Sequence, residues 1–381
     1  MLNGSDALAR VDVVRRFRAR HGAPGIDTLM DALVGSLVGI ADDDGEFLVS
    51  VIEGRRYDIK SWHHWDWTQG VGLYGLARMY ERSRDPGVRA HVEHWFRNRF
   101  DEPAVTKTIN TMAPMLALAH LAGWSADDSW HPLLAEWAEW AMHDLPRTEE
   151  GGFQHLVIDL PNEQQLWDDT LMMTVMPLAK IGLLLGRPAY VEEAKRQFLL
   201  HVKYLADRAT GLWFHGWTFA ERNHMSGALW ARGNSWITMA IPDFIELLDL
   251  PEGDGVREFL VATLEAQVAA LRACQRTDGL WPTILDDPDS YGEASATAGI
   301  AYGVLKAVRL GLLPAGYLET GLRAAEAVIA HIDARGELAQ VSFGTPIFAT
   351  VEEYKQVPIT TMPYGQAMAI LALDEARRLH P

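Results

Sequence analysis

Apolar residues recur every three to four positions along most of the chain, which predicts helices. The first such segment covers residues 27–40. The same spacing predicts eleven further helices, over residues 67–83, 86–102, 110–123, 129–145, 165–186, 188–207, 233–250, 255–275, 294–311, 316–333 and 364–380. Several boundaries carry glycine or proline, residue types that end one helix and open the next.

The predicted helices fall into two sets that alternate along the chain. One set has charged stripes, as in "VEEAKRQF" at 191–198, and is typical of helices with one face in water. The other set has few charges in its first turns, as in "NTMAPMLALAHLAG" at 110–123, and is typical of buried helices. The alternation predicts hairpins that each pair an outer helix with an inner one.

Loop lengths place the hairpins relative to one another. The connection after each buried helix is short, whereas the one before it is long in five of six cases, at 41–66, 146–164, 208–232, 276–293 and 334–363. Antiparallel hairpins of this kind put every long loop at one end, where the buried helices begin. We therefore predict an all-α fold, an (α/α)6 barrel of six helical hairpins with long loops on one rim, in a single domain over 1–381.

An open α-solenoid is the alternative, since it also stacks helical hairpins. A solenoid has a steady repeat, but the buried helices here start 43, 55, 68, 61 and 70 residues apart. Irregular long loops on one side favour a closed scaffold with a functional rim. Two loop segments, "GLWFHGWTF" and "GLWPTIL", are predicted to be short rim strands or hairpins.

Polar and aromatic residues cluster immediately before each buried helix. In chain order the clusters read "SWHHWDWTQG", "TKTINT", "QLWDDT", "HMSGALWARGNSW", "DSYGEASATA" and "TMPYGQA". Since all six should meet at the same mouth of the barrel, a binding or catalytic site is predicted there. The free N–H groups of several helix N-termini at this mouth favour an anionic ligand.

The cluster "QLWDDT" holds two adjacent acids, Asp168 and Asp169, behind Trp167. Adjacent residues on a helix point about 100° apart and do not face each other. One reading is that Asp169, in an apolar pocket walled by Trp167, has a raised pKa and acts as a general acid. The other reading is that one of the two acids caps the helix.

Other rim residues carry less specific signals. Gln69 and Trp67 are expected to form a sugar contact or a wall, and Gly233-Asn234 a tight turn that places neighbouring side chains around the cavity. Glu293 is either a second acid of the site or a residue of a helix start, and a structural role is favoured. Lys107 is either a further cation of the site or simply solvated.

Metal binding by "WHHWDW" is weakly indicated, because no second cluster offers histidine or cysteine at ligand spacing.

Net charge and composition narrow the function classes. The formal charge of −17 argues against nucleic acid and anionic membranes as partners. A single cysteine, Cys274, allows no intrachain disulfide. The first residues lack the apolar stretch of a signal peptide, and no apolar run approaches the roughly 18 residues that span a membrane. A cytoplasmic protein is expected.

Four motifs together resemble a known family. They are "WTQGVGLYG", "LWDDTLMM", "WARGNSW" and "DDPDSYGEASATA", and the resemblance extends from about Trp62 to Gln366. The chain resembles the unsaturated rhamnogalacturonyl hydrolases of glycoside hydrolase family 105, which are similar to the unsaturated glucuronyl hydrolases of family 88. The resemblance implies an (α/α)6 barrel, an oligosaccharide substrate with an unsaturated uronate end, and neither a metal nor an organic cofactor.

The resemblance also implies a reaction and a set of site residues. Members remove a terminal 4,5-unsaturated uronic acid by hydrating its C4=C5 bond, with one aspartate as acid and base. That aspartate corresponds to Asp169. Substrate-binding roles are implied for the remaining matched positions, which are Trp67, Trp167, Asp168, His215, Trp230, Arg232 and Trp236.

One position departs from the family pattern. Relatives often have a second aspartate near the start of the second buried helix, where Asn110 is the best match here and is also expected to bind substrate. The alternatives left open are the same chemistry on glucuronyl residues of glycosaminoglycans, a different (α/α)6 sugar enzyme such as a 2-epimerase or an inverting glycosidase, and a non-catalytic sugar-binding protein. The identity of the neighbouring sugar, the accepted chain length and the oligomeric state do not follow from the sequence.

Overall fold

The computed structural model describes residues 4–52, 55–99, 105–125, 128–158 and 160–380. Helices dominate this part of the chain. They are α1 Gly4–Arg20, α2 Ala23–Gly39, α3 Trp67–Ser83, α4 Pro86–Arg99, α5 Pro114–Trp124, α6 His131–His143, α7 Met176–Leu184, α8 Pro188–Leu205, α9 Ala231–Leu247, α10 Gly255–Cys274, α11 Ala294–Arg309, α12 Leu318–Ala330, α13 Val351–Tyr354 and α14 Pro363–Arg377.

Six helices with few exposed residues form a closed ring, as the charge pattern predicts. Each contacts the next in the order α3, α5, α7, α9, α11 and α14, and α14 packs on α3 to close the circle. Small residues let neighbours approach closely. A β-carbon at Gly303 of α11 would overlap the backbone of Thr238 on α9, and one at Gly75 of α3 would crowd Ala367 on α14. The helices that surround this ring are α2, α4, α6, α8, α10 and α12.

The fold is therefore the predicted (α/α)6 barrel, with two helices that the periodicity analysis did not predict, α1 and the four-residue α13. Helix α1 precedes the first hairpin and packs on α12 and on the short 3₁₀ turn Ala315–Tyr317. Phe17 of α1 is buried, and Arg20 pairs with Glu326 of α12 at 3.0 Å. Only a narrow apolar stripe among many arginines marks this helix in the sequence, because it covers the barrel from outside.

The predicted helix over 165–186 is wrong at its beginning. Residues Gln165–Trp167 form a short strand, β3, and regular α-helix resumes only at Met176. Between them lies a five-residue π-helical segment, Leu171–Val175. The helix predicted from residue 110 also starts differently, with a 3₁₀ turn over Asn110–Met112 before Pro114 opens α5. The end predicted at 102 for the helix that starts at 86 lies outside the described residues.

Short strands occur in the long loops, as predicted. Strand β1 (Leu48–Ile52) pairs with β2 (Arg55–Asp58). Strand β3 pairs with β4 (Gly216–Thr218), and β5 (Trp281–Pro282) pairs with β6 (Gly292–Glu293), all antiparallel. The pairing of β3 with β4 places the chain around Asp168 next to that around His215, where the backbone N–H of Asp168 donates to the His215 carbonyl at 3.0 Å.

Charged side chains fill the barrel end opposite the long loops. Lys306 is buried there, with its Nζ 2.5 Å from Asp243 Oδ1 and 2.6 Å from Glu246 Oε2. The hydroxyls of Tyr74 and Tyr302 donate to the same Asp243 carboxylate, each at 2.7 Å. These groups join α3, α9 and α11. None of the helices in the described ranges is long and apolar enough to cross a membrane.

Candidate active site

The six polar clusters come together at the end where the inner helices begin. Trp67 at the start of α3 stacks on Tyr364 of α14, with ring centroids 4.7 Å apart, and meets Trp236 of α9 edge-on at 6.1 Å. The cluster before α5 is tied in through its backbone. The Trp65 indole donates to the Thr111 carbonyl at 2.8 Å, and Thr174 donates to the Ile109 carbonyl at 3.0 Å.

Asp169 forms the centre of a hydrogen-bonded chain at this mouth. Its Oδ2 lies 3.2 Å from His215 Nε2, and the other ring nitrogen, Nδ1, lies 2.8 Å from the hydroxyl of Tyr354. Asp169 has 13% of its side chain exposed, whereas His215 has 2% and Tyr354 is fully buried. Of these three hydrogen-bonded side chains, Asp169 is thus the one whose carboxylate a ligand can reach.

The two adjacent acids have different surroundings. Asp168 is fully buried, and apart from its neighbour Asp169 neither of its carboxylate oxygens has a hydrogen-bond partner. It lies against α9, where a β-carbon on Gly233 would overlap its Oδ2. Asp168 is therefore not the helix cap that was one of the sequence-based alternatives.

The pKa values of the two acids differ from the expectation drawn from the sequence, which was a raised pKa for Asp169. Burial raises the pKa of Asp168 well above its ordinary value, and the neighbouring charge of Asp169 raises it further. Burial also acts to raise the pKa of Asp169, but the hydrogen bond that Asp169 accepts from His215 outweighs burial and brings that pKa below its usual range. The predicted rise in the pKa of Asp169 is wrong because His215 donates to Asp169, and the rise falls on Asp168, which has no histidine donor.

Histidine and tryptophan rings surround the acid. The ring of His155 stacks on Trp167 with centroids 4.2 Å apart and an interplanar angle of 7°, and its Nδ1 lies 2.9 Å from Thr170 Oγ1. Burial lowers the pKa of His155 to about 3, so this ring is neutral. His215 packs between Trp167 and Trp230, with centroid distances of 5.5 and 4.3 Å.

The four predicted tryptophans differ in how far they can reach a ligand. Trp67 and Trp167 keep 8% and 7% of their surface exposed, whereas Trp230 and Trp236 keep 1% and none. The first pair can present an edge to a sugar. The second pair supports the cavity from behind, through contacts with His215 and Trp67.

Arg232 is engaged with a loop of its own chain. It is fully buried, and its Nη1 and Nη2 donate to the carbonyls of Ser342 and Phe343 and to the side chains of Ser342 and Thr345, at 2.5–3.1 Å. Its Nη1 also lies 3.6 Å from the buried carboxylate of Glu293. In this arrangement the guanidinium holds the loop before α14 onto α9, and its Nε alone has no partner.

Several other expectations change with the structure. Gln69 is fully buried and donates to the carbonyls of Ser61 and Ile59, so the expected sugar contact is wrong. Helix α9 already begins at Ala231, so no tight turn forms at Gly233-Asn234. The Asn234 amide instead donates to the Trp213 and Trp230 carbonyls.

Lys107 is bound on the outside of the barrel, where its ammonium pairs with Glu136 of α6 at 2.6 Å. Glu293 does occupy the helix start expected for it. It caps α11 by accepting from Ala296 N, and it also accepts from the Ser342 amide at 2.9 Å. Asn110 opens the 3₁₀ turn before α5 and is partly exposed.

The N-terminal ends of the inner helices offer less to an anion than expected. The carboxylate of Asp66 caps α3 by accepting from Trp67 N at 2.7 Å, and Glu293 caps α11. Both caps place a carboxylate of the chain where an anionic ligand was expected to bind.

One group in the described part of the chain has the residue types and spacing of a metal site. Asp168, Asp169 and His215 each bring one ligand atom to within 4.8 Å of the other two. Both ring nitrogens of His215 already face hydrogen-bond partners, so a metal ion would have to displace one of them. The "WHHWDW" segment does not form such a group among the residues that the structure describes.

Two residues of the site were missed at the sequence level. His155 lies in the loop before β3, and a lone histidine in "FQHL" gives no recognisable signal. Tyr354 comes from the short helix α13, and the start of this helix does have a recognisable sequence signal. Thr350 and Glu353 form the reciprocal capping box that Ser/Thr-x-x-Glu predicts.

Comparison with known proteins shows the class to which this protein belongs. The sequence model of the family described as Glycosyl Hydrolase Family 88 matches residues 40–380. The protein is a glycoside hydrolase, and the chain belongs to family 88. This match and the relatives described next together confirm the resemblance to families 105 and 88 seen in the four sequence motifs.

Individual relatives agree with this assignment. The chain is 33% identical to the unsaturated rhamnogalacturonyl hydrolase YesR of Bacillus subtilis over 82% of its own length and 89% of the relative's. A solved structure of a possible member of the GH105 family from Salmonella enterica is 52% identical, with a TM-score of 0.93 and 94% of each chain covered. A similarly described structure from Klebsiella pneumoniae is 53% identical, with a TM-score of 0.91 over 93% of each chain.

Proposed function

We propose that the protein releases the terminal 4,5-unsaturated uronic acid from pectin-derived rhamnogalacturonan oligosaccharides by hydrating the C4=C5 double bond. Asp169 is the acid and base of this reaction. The observation that carries the proposal is that Asp169 is the reachable carboxylate at the mouth. The neighbouring acids Asp168, Asp66 and Glu293 are at most 1% exposed. The name of the Bacillus subtilis relative supports the choice of substrate.

The proposed reaction needs one acid–base group on one face of the sugar. The reaction starts from the protonated form of Asp169, which its lowered pKa makes the minor form in the free protein. This form gives its proton to C4, and water adds to C5 as its own proton passes to the same carboxylate. The resulting hemiketal opens to a ketone at C5, which leaves C1 as a hemiacetal that releases the neighbouring sugar. One water is consumed, and Asp169 ends in the protonation state in which it began.

A conventional inverting glycosidase is disfavoured by the same geometry. That mechanism uses two carboxylates about 6.5–9.5 Å apart, one of which activates water. Glu293 is committed to Ser342, Ser295 and the α11 backbone, and Asp168 adjoins Asp169 instead of facing it across a ligand. Asn110, in the position where relatives often have an aspartate, is uncharged.

The binding roles follow the exposure of each side chain. Trp67 and Trp167 contact the sugar with their exposed edges, while Trp230 and Trp236 hold those rings and His215 in place. His215 steadies the Asp169 carboxylate, and Arg232 acts on the site through the loop it anchors. The proposal involves no metal or cofactor, and it keeps the single domain and the cytoplasmic location expected from the sequence.

Loss of the ultraviolet absorbance of the alkene reports turnover directly. Unsaturated galacturonyl-rhamnose should lose it in the presence of the enzyme, whereas an unsaturated chondroitin disaccharide should react far more slowly. The Asp169→Asn variant should lose at least about 10²-fold in kcat, the lower range for removing a general acid–base group. A chelator should leave the rate unchanged. Full activity of Asp169→Asn would overturn the role of Asp169, and binding without absorbance loss would indicate a non-catalytic protein.

A further inference from the structure

Tyr354 contacts the site from outside the barrel ring. It is the last residue of α13, in the long loop before α14, and it is fully buried. Its hydroxyl lies 2.8 Å from His215 Nδ1, on the side of the ring opposite Asp169. Tyr354, His215 and Asp169 thus form one continuous row of hydrogen bonds. The position of the hydroxyl proton of Tyr354 therefore affects which nitrogen of His215 can donate to Asp169.

The surrounding structure fixes Tyr354 in this position. Its ring packs against Phe348 with centroids 5.1 Å apart, and against Trp230 at 6.2 Å. The Tyr291 hydroxyl donates to the Tyr354 backbone carbonyl at 3.3 Å. Lys355 pairs with Asp287 at 2.5 Å, which ties the end of α13 to the neighbouring loop. The hydroxyl is therefore held on His215 by contacts on several sides.

We propose that Tyr354 is a positioning residue that fixes the His215 ring in the tautomer that donates from Nε2 to Asp169. A neutral imidazole has a single N–H, and the hydrogen bond made by the other nitrogen determines which atom carries it. A hydroxyl that donates to Nδ1 leaves the N–H on Nε2, facing Oδ2 of Asp169. The opposite tautomer would turn a lone pair toward the carboxylate.

The protonation states of the three groups agree with this direction. Burial lowers the pKa of His215, an effect that the nearby Asp169 only partly offsets, so the ring is neutral. Burial raises the pKa of Tyr354 well above its ordinary value, so the hydroxyl keeps its proton. The other titratable groups around the chain are Asp168, His155 and Arg232. None of these supplies a donor to His215 Nδ1 in place of Tyr354.

This inference rests on the proposed function for its effect on rate, but its first test needs no substrate. Protein labelled with ¹⁵N-histidine would be examined by long-range ¹H–¹⁵N correlation, with His215→Asn used only to assign the signals. The wild type should show His215 protonated at Nε2. Tyr354→Phe should show a mixture of tautomers or a protonated ring. A pure Nε2–H tautomer in Tyr354→Phe would overturn the proposal, whatever the enzyme's activity.

Kinetics on the confirmed substrate supply the second test. Tyr354→Phe should lower kcat by about tenfold with KM within about twofold, as expected for one lost hydrogen bond that orients a catalytic group. The apparent pKa that reports Asp169 in the pH profile should move upward, since the carboxylate loses a dependable donor. An unchanged pH profile would mean that the role of Tyr354 is only structural.

Tyr291→Phe is the matched control. It removes a hydroxyl that anchors the same segment but does not contact His215. It should keep the tautomer, the pH profile and a kcat within about twofold of the wild type. An equal loss of kcat in Tyr291→Phe and Tyr354→Phe, without a change of tautomer in either, would assign the effect to loop anchoring and contradict the proposal.

Discussion

Asp168 and Gly233 are in direct contact, and the contact leaves no room for a side chain on Gly233. The carboxylate of Asp168 lies where a β-carbon would be, so both of its oxygens and its γ-carbon would be crowded by an alanine at 233. Gly233 lies inside α9, where its backbone conformation is helical and any residue could adopt it. The glycine is needed for space, and the space is occupied by the neighbour of the proposed catalytic acid.

Gly233→Ala should therefore displace Asp168 and disturb Asp169 with it. We expect a loss of about 1–3 kcal/mol in the free energy of unfolding, the usual cost of overpacking a buried site, and a large loss of kcat. Urea denaturation and the absorbance assay measure the two effects. Gly35→Ala on the outer helix α2 is the control, since a β-carbon added there would meet nothing within 4 Å. Replacing glycine in a helix should there stabilise the protein slightly.

Asp168→Asn should change how stability depends on pH. Burial raises the pKa of Asp168 in the folded state, so the protonated acid stabilises the fold below the ordinary pKa of 3.8. This contribution is lost as the pH rises toward the folded-state pKa, by about 1.4 kcal/mol per pH unit. An asparagine has no such loss. The variant should therefore gain stability relative to the wild type as the pH rises above about 4, as measured by urea denaturation at several pH values. Parallel pH curves for the two proteins would show that Asp168 is ionised in the fold.

Glu293→Gln should destabilise the protein strongly. The carboxylate caps α11, accepts from the Ser342 amide and lies 3.6 Å from the buried Arg232. Removing its charge leaves the guanidinium buried with no ionic partner, which costs about 3–5 kcal/mol in comparable cases. Asp254→Ala removes a cap from the outer helix α10, where no buried ion pair is involved, and should cost about 1 kcal/mol. Equal costs for the two variants would contradict a special role for the Glu293–Arg232 pair.

Lys306→Met should destabilise the far end of the barrel without changing the chemistry at the mouth. Lys306 neutralises Asp243 and Glu246, and its loss leaves Asp243 buried and charged, at a cost of about 3–5 kcal/mol. Adding Asp243→Asn should restore much of the stability. Lys195→Met, which removes an exposed pair with Glu192 on α8, should change stability by less than about 1 kcal/mol. A kcat for Lys306→Met well below that of the wild type would show that the two ends are coupled.

The barrel could be predicted from the sequence because its signals are local. Helical periodicity, charge stripes and loop lengths each involve residues close together in the chain, and together they define hairpins and the rim. Asp169 and His215 could be selected through motif resemblance, and the structure places them 3.2 Å apart. The features that escaped prediction depend on distant contacts. Tyr354 lies 139 positions from His215, and its role follows only from folding of the last long loop.

The same reason explains the wrong assignment of Gln69 and the unexpected contacts of Arg232. Both are polar residues at the rim, which suggested ligand contacts, but both are buried and hold loops of their own chain. The substrate-binding role of Arg232 stays a prediction. The type of a side chain shows which groups it can bind. Which group it does bind depends on the fold, because buried backbone groups that lack a hydrogen bond elsewhere take polar side chains as partners. The pKa values of Asp168 and Asp169 likewise depend on which of the two meets a histidine.

The π-helical segment Leu171–Val175 fixes the direction in which Asp169 points. Such a segment holds one residue more per turn than the α-helix on either side of it. The segment therefore rotates the residues that precede it, Asp169 among them, about the helix axis relative to the apolar face of α7 that follows. Deleting a single residue there would let the inner helix run regularly and would swing Asp169 by about 100° around the helix axis, away from His215. The position of the acid thus depends on one surplus residue in a buried helix that itself does not touch the substrate.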